Sequence, residues 1–227
     1  MSLLTRLNTR VSRNAAIKLA SELVARAASF GLVLLIARRL GEANFGLYNY
    51  GIALGFVVAQ LADLALQMVI AREVAQQEQD ARSLVRAALH LKGALSLVVI
   101  LLILVLTAGH PLSIRLALFS LGLTMLAQTY LEFAAYVFRG QQRLLVEAQL
   151  LASARLLVAL LGGFILWLGG GLLGLALGNL LSVCLLAAWG FFRLHRAGWL
   201  VQSGVRAAYL PLLRQALPLG IAIFLSI

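Results

Sequence analysis

Lys18, Glu22 and Arg26 recur every four positions inside residues 15–37, a run that is otherwise apolar. At 100° per residue they share one helical face. The chemistry open to such a set is recognition rather than bond-making. A guanidinium or ammonium can hold an anion, and a carboxylate can pair with it or carry a proton. Asp63, Glu132 and Arg155 repeat the theme of single charges within apolar sequence. A charge at membrane depth is costly, so it turns toward a bundle interior or a wet cavity. A transporter lining a polar substrate path needs such residues, whereas a purely structural bundle has little use for them. The sequence offers no catalytic set and no metal-ligand spacing, and it calls for no bound cofactor. H+ or Na+ coupling through the carboxylates stays open.

These residues must be held by membrane-spanning elements. The chain has 227 residues, 62% of them hydrophobic and 12% charged. Soluble domains run near 45–50% apolar, so the composition predicts an integral membrane protein. A spanning helix needs about 20 apolar residues. Six stretches qualify: 15–37, 46–70, 91–108, 115–138, 147–168 and 171–192. A further apolar run, Ala216 to Ile227, holds 12 residues. At 1.5 Å each they reach about 18 Å, too short to cross. The expected fold is therefore an all-α integral membrane bundle of six transmembrane helices plus the start of a seventh. Residues 1–14 form a tail, 15–192 the bundle, 193–215 an interfacial linker and 216–227 the beginning of another helix. That last segment predicts a chain that stops within an element. Arg6, Arg10 and Arg13 precede a long run with interior charges, which reads as a retained anchor rather than a cleaved signal. Cys184 stands alone in apolar sequence and reads as a small packing residue.

The formal net charge is +11. Topology accounts for it better than a nucleic-acid partner does. Alternate loops and the N-terminal tail hold 13 Lys and Arg, against 3 in the opposite loops. By the positive-inside rule the N-terminus is cytoplasmic. Residues 72–92 read as a charged helical linker near the headgroups, with Lys92 among its charges. Residues 193–215 mix Arg with Trp199 and Tyr209 and suit an interfacial segment. Gly169, Gly170 and Gly171 predict a tight outer hairpin. Gly51, Gly55 and Ala59, like Gly170, Gly174 and Gly178, recur every four residues and predict close helix packing.

Depth can be read for the buried charges. After Arg155 only 13 residues remain before the glycine turn, too few to span alone. Asp63 lies nine residues before Arg72, and Glu132 seven before Arg139. All fall in the inner half, which predicts a polar vestibule open to the cytoplasm. The alternative is structural pairing of Asp63 or Glu132 with Arg155 or Arg26. The set balances, with Lys18, Arg26 and Arg155 against Glu22, Asp63 and Glu132.

Residues 37–48 read ARRLGEANFGLY. This resembles the ARxLGxxxFGxY segment after the first helix in the polysaccharide biosynthesis and export branch of the MOP flippase superfamily. Asn14 and Lys18 are similar to that branch's N-K lead-in. Asp63-Leu64-Ala65-Leu66 resembles its D-x-G-L, with alanine in place of glycine, and Arg72-Glu73-Val74-Ala75 its R-E-V-A. Phe138 to Arg143 resembles F-x-G-x-x-R, and Leu217-Pro218-Leu219-Gly220 the start of a seventh helix. The resemblance implies one lobe of a two-lobe transporter that flips undecaprenyl-pyrophosphate-linked oligosaccharide by alternating access. The implied partners are that lipid-linked oligosaccharide, membrane lipids and a C-terminal lobe missing from this chain. Arg26 and Arg155 are the candidates for the pyrophosphate or acidic sugars, since guanidinium suits phosphate oxygens. Lys18 would receive the headgroup at the entrance. Glu22, Asp63 and Glu132 would couple ions or hold the arginines. A drug/ion antiporter of the same superfamily would favour an acidic cavity. A polyprenol-dependent glycosyltransferase needs catalytic carboxylates in an aqueous loop, where only Glu42 and His110 stand.

Overall fold

The computed structural model describes residues 2–76 and 81–200, with side chains from Leu19 onward. Helix is the regular structure throughout the described residues. That is the expected outcome for apolar stretches in hydrocarbon, where a helix satisfies its own backbone groups. The elements are α1 (Ser2–Asp63), α2 (Leu66–Ala75), α3 (Ala81–Thr107), α4 (Leu112–Gly140), α5 (Leu144–Trp167) and α6 (Gly171–Arg196). All but α2 have the length and apolar composition to cross a membrane.

Helix α1 contains two of the expected spans. Its 45 residues from Leu19 to Asp63 would make about 68 Å of straight helix, roughly twice the hydrocarbon thickness. Gly41 interrupts it with φ 74° and ψ 171°, a conformation that a residue with a Cβ avoids. The two halves then pack on different partners. In the first half Leu32 meets Gly162 of α5. In the second, Gly51 approaches Leu118 and Leu121 of α4, and a Cβ on Gly55 would lie 2.8 Å from the Gly122 Cα. The close packing read from the Gly51–Gly55 spacing is thus a backbone-to-backbone contact of α1 with α4.

Two ends of the bundle follow. Around the Gly41 bend, Leu32, Ile36 and Phe45 pack with Leu166 and Leu175, and Leu40 and Leu47 with Ala117 and Leu172. At the opposite end α2 packs through Leu66, Ile70 and Val74 against Val85, Phe133, Phe138 and Leu194. Large apolar side chains face outward between these ends. Leu97, Leu101 and Val105 make one such stripe on α3, and Leu177, Leu181 and Leu185 another on α6. Contiguous exposed apolar faces of this kind belong against lipid. Cys184 is exposed on α6 rather than packed in the interior.

The end opposite Gly41 departs most from the sequence reading. The span expected over 46–70 stops at Asp63. Leu64 (φ 40°) and Ala65 (φ 59°) occupy the left-handed region, and a separate helix starts at Leu66. Ala65 stands where the resembling motif has glycine. The described residues of the stretch 72–92 do not form a surface linker. Arg72 to Ala75 belong to α2, while Val85, Ala87, Ala88 and Lys92 of α3 are buried. The short α2 reaches its seat because Gly140 has no side chain. A Cβ there would lie 2.7 Å from the Ala71 carbonyl oxygen and 2.8 Å from Val74 Cβ. The linker and further helix expected over 193–215 and 216–227 fall largely outside the described residues. Residues 193–196 continue α6, and the Arg82 guanidinium lies 5.7 Å from the Trp199 ring centre.

These contacts predict opposite outcomes for two small substitutions. Ala65→Gly removes a left-handed alanine and should raise stability by about 1 kcal/mol. Gly140→Ala overpacks a site walled by backbone and should lower it by about 1–3 kcal/mol. Thermal unfolding of the purified protein followed by circular dichroism reads both. A lower midpoint for Ala65→Gly would show that the break carries no strain.

Candidate functional site

A pocket of ≈ 200 Å³ opens between α1, α4 and α5. Glu22 and Arg26 reach it from adjacent turns of α1. Glu147, Leu151 and Arg155 reach it from one face of α5, again at four-residue spacing, and Arg139 comes from the last turn of α4. Ala25, Ala148 and Ala152 line the space between. Their small side chains leave the room that the charged ones point into.

The five charges divide into a closed pair and an open set. Arg139 donates from Nε to Glu147 Oε1 at 2.9 Å and also from Nη2 to the same oxygen. Its guanidinium lies 4.2 Å from the Tyr136 ring centre. Glu147 is only 1% exposed, and that fork helps to compensate its buried charge. Arg26 and Arg155 are exposed at the mouth. Among the described residues neither has a carboxylate within ion-pair distance. Arg155 is 11 residues into α5 from Leu144, about 16 Å along the axis. An exposed guanidinium at that depth cannot rest against acyl chains without large cost.

A second polar cluster lies deeper. Lys92 Nζ donates to Asp63 Oδ1 at 2.6 Å, with the two side chains 0% and 2% exposed. The ammonium lies 5.3 Å from the Tyr130 ring centre. The Tyr130 hydroxyl is 2.9 Å from Ser96 Oγ. Glu132 accepts a hydrogen bond from Gln128 Nε2 at 3.0 Å and stands in Coulombic reach of Asp63, Lys92 and Arg155.

Several sequence expectations change here. Glu22, Arg26 and Arg155 do come together at one pocket. Asp63 and Glu132 instead belong to the deeper cluster. Asp63 pairs with neither Arg155 nor Arg26 but with Lys92, which the sequence reading had placed in a loop. Glu132 reaches Arg155 only through space. The side chain of Lys18 lies outside the described residues. Sequence reasoning missed Arg139, Glu147 and Lys92 as site residues. The Glu147–Leu151–Arg155 spacing was the one available signal for Glu147. Nothing in the sequence joins Lys92 to a carboxylate 29 residues away.

Charged and polar side chains between apolar helices, with an opening lined by three arginines and two glutamates, define a multi-pass membrane protein built around a polar site. A family model described as "Polysaccharide biosynthesis protein" matches residues 11–226. The chain belongs to this family, which lies within the MOP flippase superfamily that the motif string resembles. No curated protein and no solved structure matches it.

The Arg139–Glu147 fork makes a checkable claim about structure. Arg139→Ala removes two charge-assisted hydrogen bonds from a buried carboxylate and should destabilise the protein by about 1–3 kcal/mol. Adding Glu147→Gln to Arg139→Ala should recover most of that loss. The amount of folded protein in isolated membranes after graded heating measures both variants. Equal losses in the single and double variants would mean that Arg139 acts by packing alone.

Proposed function

We propose that this protein moves an undecaprenyl-pyrophosphate-linked oligosaccharide from the inner to the outer leaflet by alternating access. The family match supports a polysaccharide-related transporter, and the pocket supports the choice of ligand chemistry. One observation carries it: Arg26 and Arg155, without carboxylate partners among the described residues, share one exposed pocket, with Arg155 11 residues into α5 from Leu144. Unpaired guanidinium groups beside a third, already committed arginine suit a pyrophosphate, whose oxygens accept the planar fork. Lys18, one turn before Glu22, would meet the headgroup at the entrance. Glu22 would hold Arg26 in reach between cycles. The three-to-two excess of arginine over glutamate around the pocket disfavours a cationic drug as substrate.

The reading includes a cytoplasmic N-terminus in a plasma membrane, which the 13-to-3 distribution of Lys and Arg supports. A second lobe completing the cavity is the partner it implies. Cysteine labelling checks the orientation: a thiol placed at position 78 should react only after the membrane is permeabilised. Labelling from outside intact cells would reverse the topology and with it the direction of transport.

The arginine role is tested in cells whose surface glycan depends on this protein. Arg155→Ala should abolish glycan export, by at least about 100-fold if two charge-assisted hydrogen bonds are lost. Membrane abundance should stay near wild type, because the side chain is exposed. Arg155→Lys should rescue only in part, since it keeps the charge and loses the fork. Full export by Arg155→Ala/Glu132→Gln would show that Arg155 serves only to balance Glu132, and would sink the substrate role.

A further inference from the structure

Lys92 is buried in α3 at the start of its apolar run, and its charge is sealed from solvent. Its surroundings are those of a cation site. Asp63 is the last residue of α1, and the chain breaks immediately after it. The C-terminal end of a helix carries partial negative charge, and its last carbonyls lack helical partners. Broken helices in membrane transporters hold cations at such ends. Glu132 adds a second carboxylate in Coulombic reach of Asp63. The Tyr130 ring faces the ammonium at 5.3 Å, and its hydroxyl is joined to Ser96, one turn beyond Lys92. A carboxylate at hydrogen-bond distance, a second in Coulombic reach and a ring face make an anionic setting built from α1, α3 and α4. The group that occupies it is an ammonium 2.6 Å from Asp63 Oδ1.

We propose that Lys92 is a tethered cation, filling from within the chain a monovalent-cation site at the break between α1 and α2. The ammonium compensates Asp63 and the α1 terminus, and so holds Leu64 and Ala65 in left-handed conformations that nothing local favours. Backbone strain of this kind persists only where its surroundings over-determine it. The break then needs no dissolved ion. Shortening Lys92 to alanine takes away the charge and opens space beside Asp63. That variant becomes a binding site for Na+ or methylammonium, the latter restoring the lost head of the side chain. The proposal stands on this cluster and is independent of the transported substrate.

The test is thermal unfolding of the purified full chain in chloride salts of choline, Na+ and methylammonium at equal ionic strength, which keeps screening constant. Wild type should unfold at one midpoint in all three. Lys92→Ala should unfold several degrees lower in choline and recover with Na+ or methylammonium in a saturable way. Lys92→Met, uncharged and similar in length, should stay low in every salt because its side chain occupies the space. Lys92→Ala/Asp63→Asn should lose the cation response. A Lys92→Ala midpoint that rises no more in Na+ or methylammonium than in choline overturns the proposal. So does a wild type that responds as strongly as the variant. Should Lys92→Ala fail to accumulate, abundance in membranes decides. Adding Asp63→Asn should restore abundance if an uncompensated carboxylate was the cause, and unchanged loss in the double variant overturns the proposal.

Discussion

The ion pair between Lys92 and Asp63 governs one whole end of this bundle. Both side chains are sealed from solvent, and neither tolerates burial without the other, since each ion loses several kcal/mol of hydration that only a close partner offsets. Asp63 meets α3 at the last residue of α1. The chain turns through Leu64 and Ala65, and α2 is redirected against α3 and α4. That seat brings the Ala71 carbonyl onto Gly140 and assembles the cluster of Leu66, Ile70, Phe133 and Phe138. The ion pair, a helix end, a turn, a glycine contact and a core thus lie together at this end.

The two polar clusters handle charge in opposite ways. Around Lys92 the groups are closed, paired and dry, and their role is to hold the frame. Around Arg26 and Arg155 they are open and lack carboxylate partners among the described residues, which leaves guanidinium groups able to meet an anion. Arg139 and Glu147 stand between these regimes, with a buried carboxylate fixed by a half-exposed arginine at the pocket wall. Arg155 lines the pocket and also senses Glu132 of the deeper cluster. An anion that neutralises Arg155 changes the field at Glu132, and through it at Lys92 and Asp63. The same side chain thus links the pocket to the framework.

Much of the architecture was legible in the residues themselves. Runs of about 20 apolar positions have few stable forms in a bilayer other than helices, so α4, α5 and α6 lie close to where composition places them, as does the far end of α3. The glycine string at 169–171 marks a turn because it permits left-handed backbone, and the structure has Gly169 and Gly171 there with positive φ. Glu22, Arg26 and Arg155 could be recognised as unusual because a charge in apolar sequence is costly wherever it points. The motif around residues 37–48 carried the family as well, and with it the expectation of a polysaccharide-related membrane protein.

What the tertiary structure decided is which charges meet. Hydropathy along a chain treats a lysine near the end of an apolar run as a loop residue, and Lys92 read that way. Only the packing of α3 against the end of α1 turns it into a buried partner for Asp63. The break at Leu64 and Ala65 was hidden for the same reason, since neither residue favours a left-handed turn on its own account. Arg139 and Glu147 likewise gain their meaning from the tight connection that folds α5 back onto α4. Spans are local properties, set by each residue's transfer free energy into lipid, so sequence alone determines them. Pairings are set by distance in three dimensions between residues far apart in the chain, and in a medium without water to screen them that distance decides the outcome.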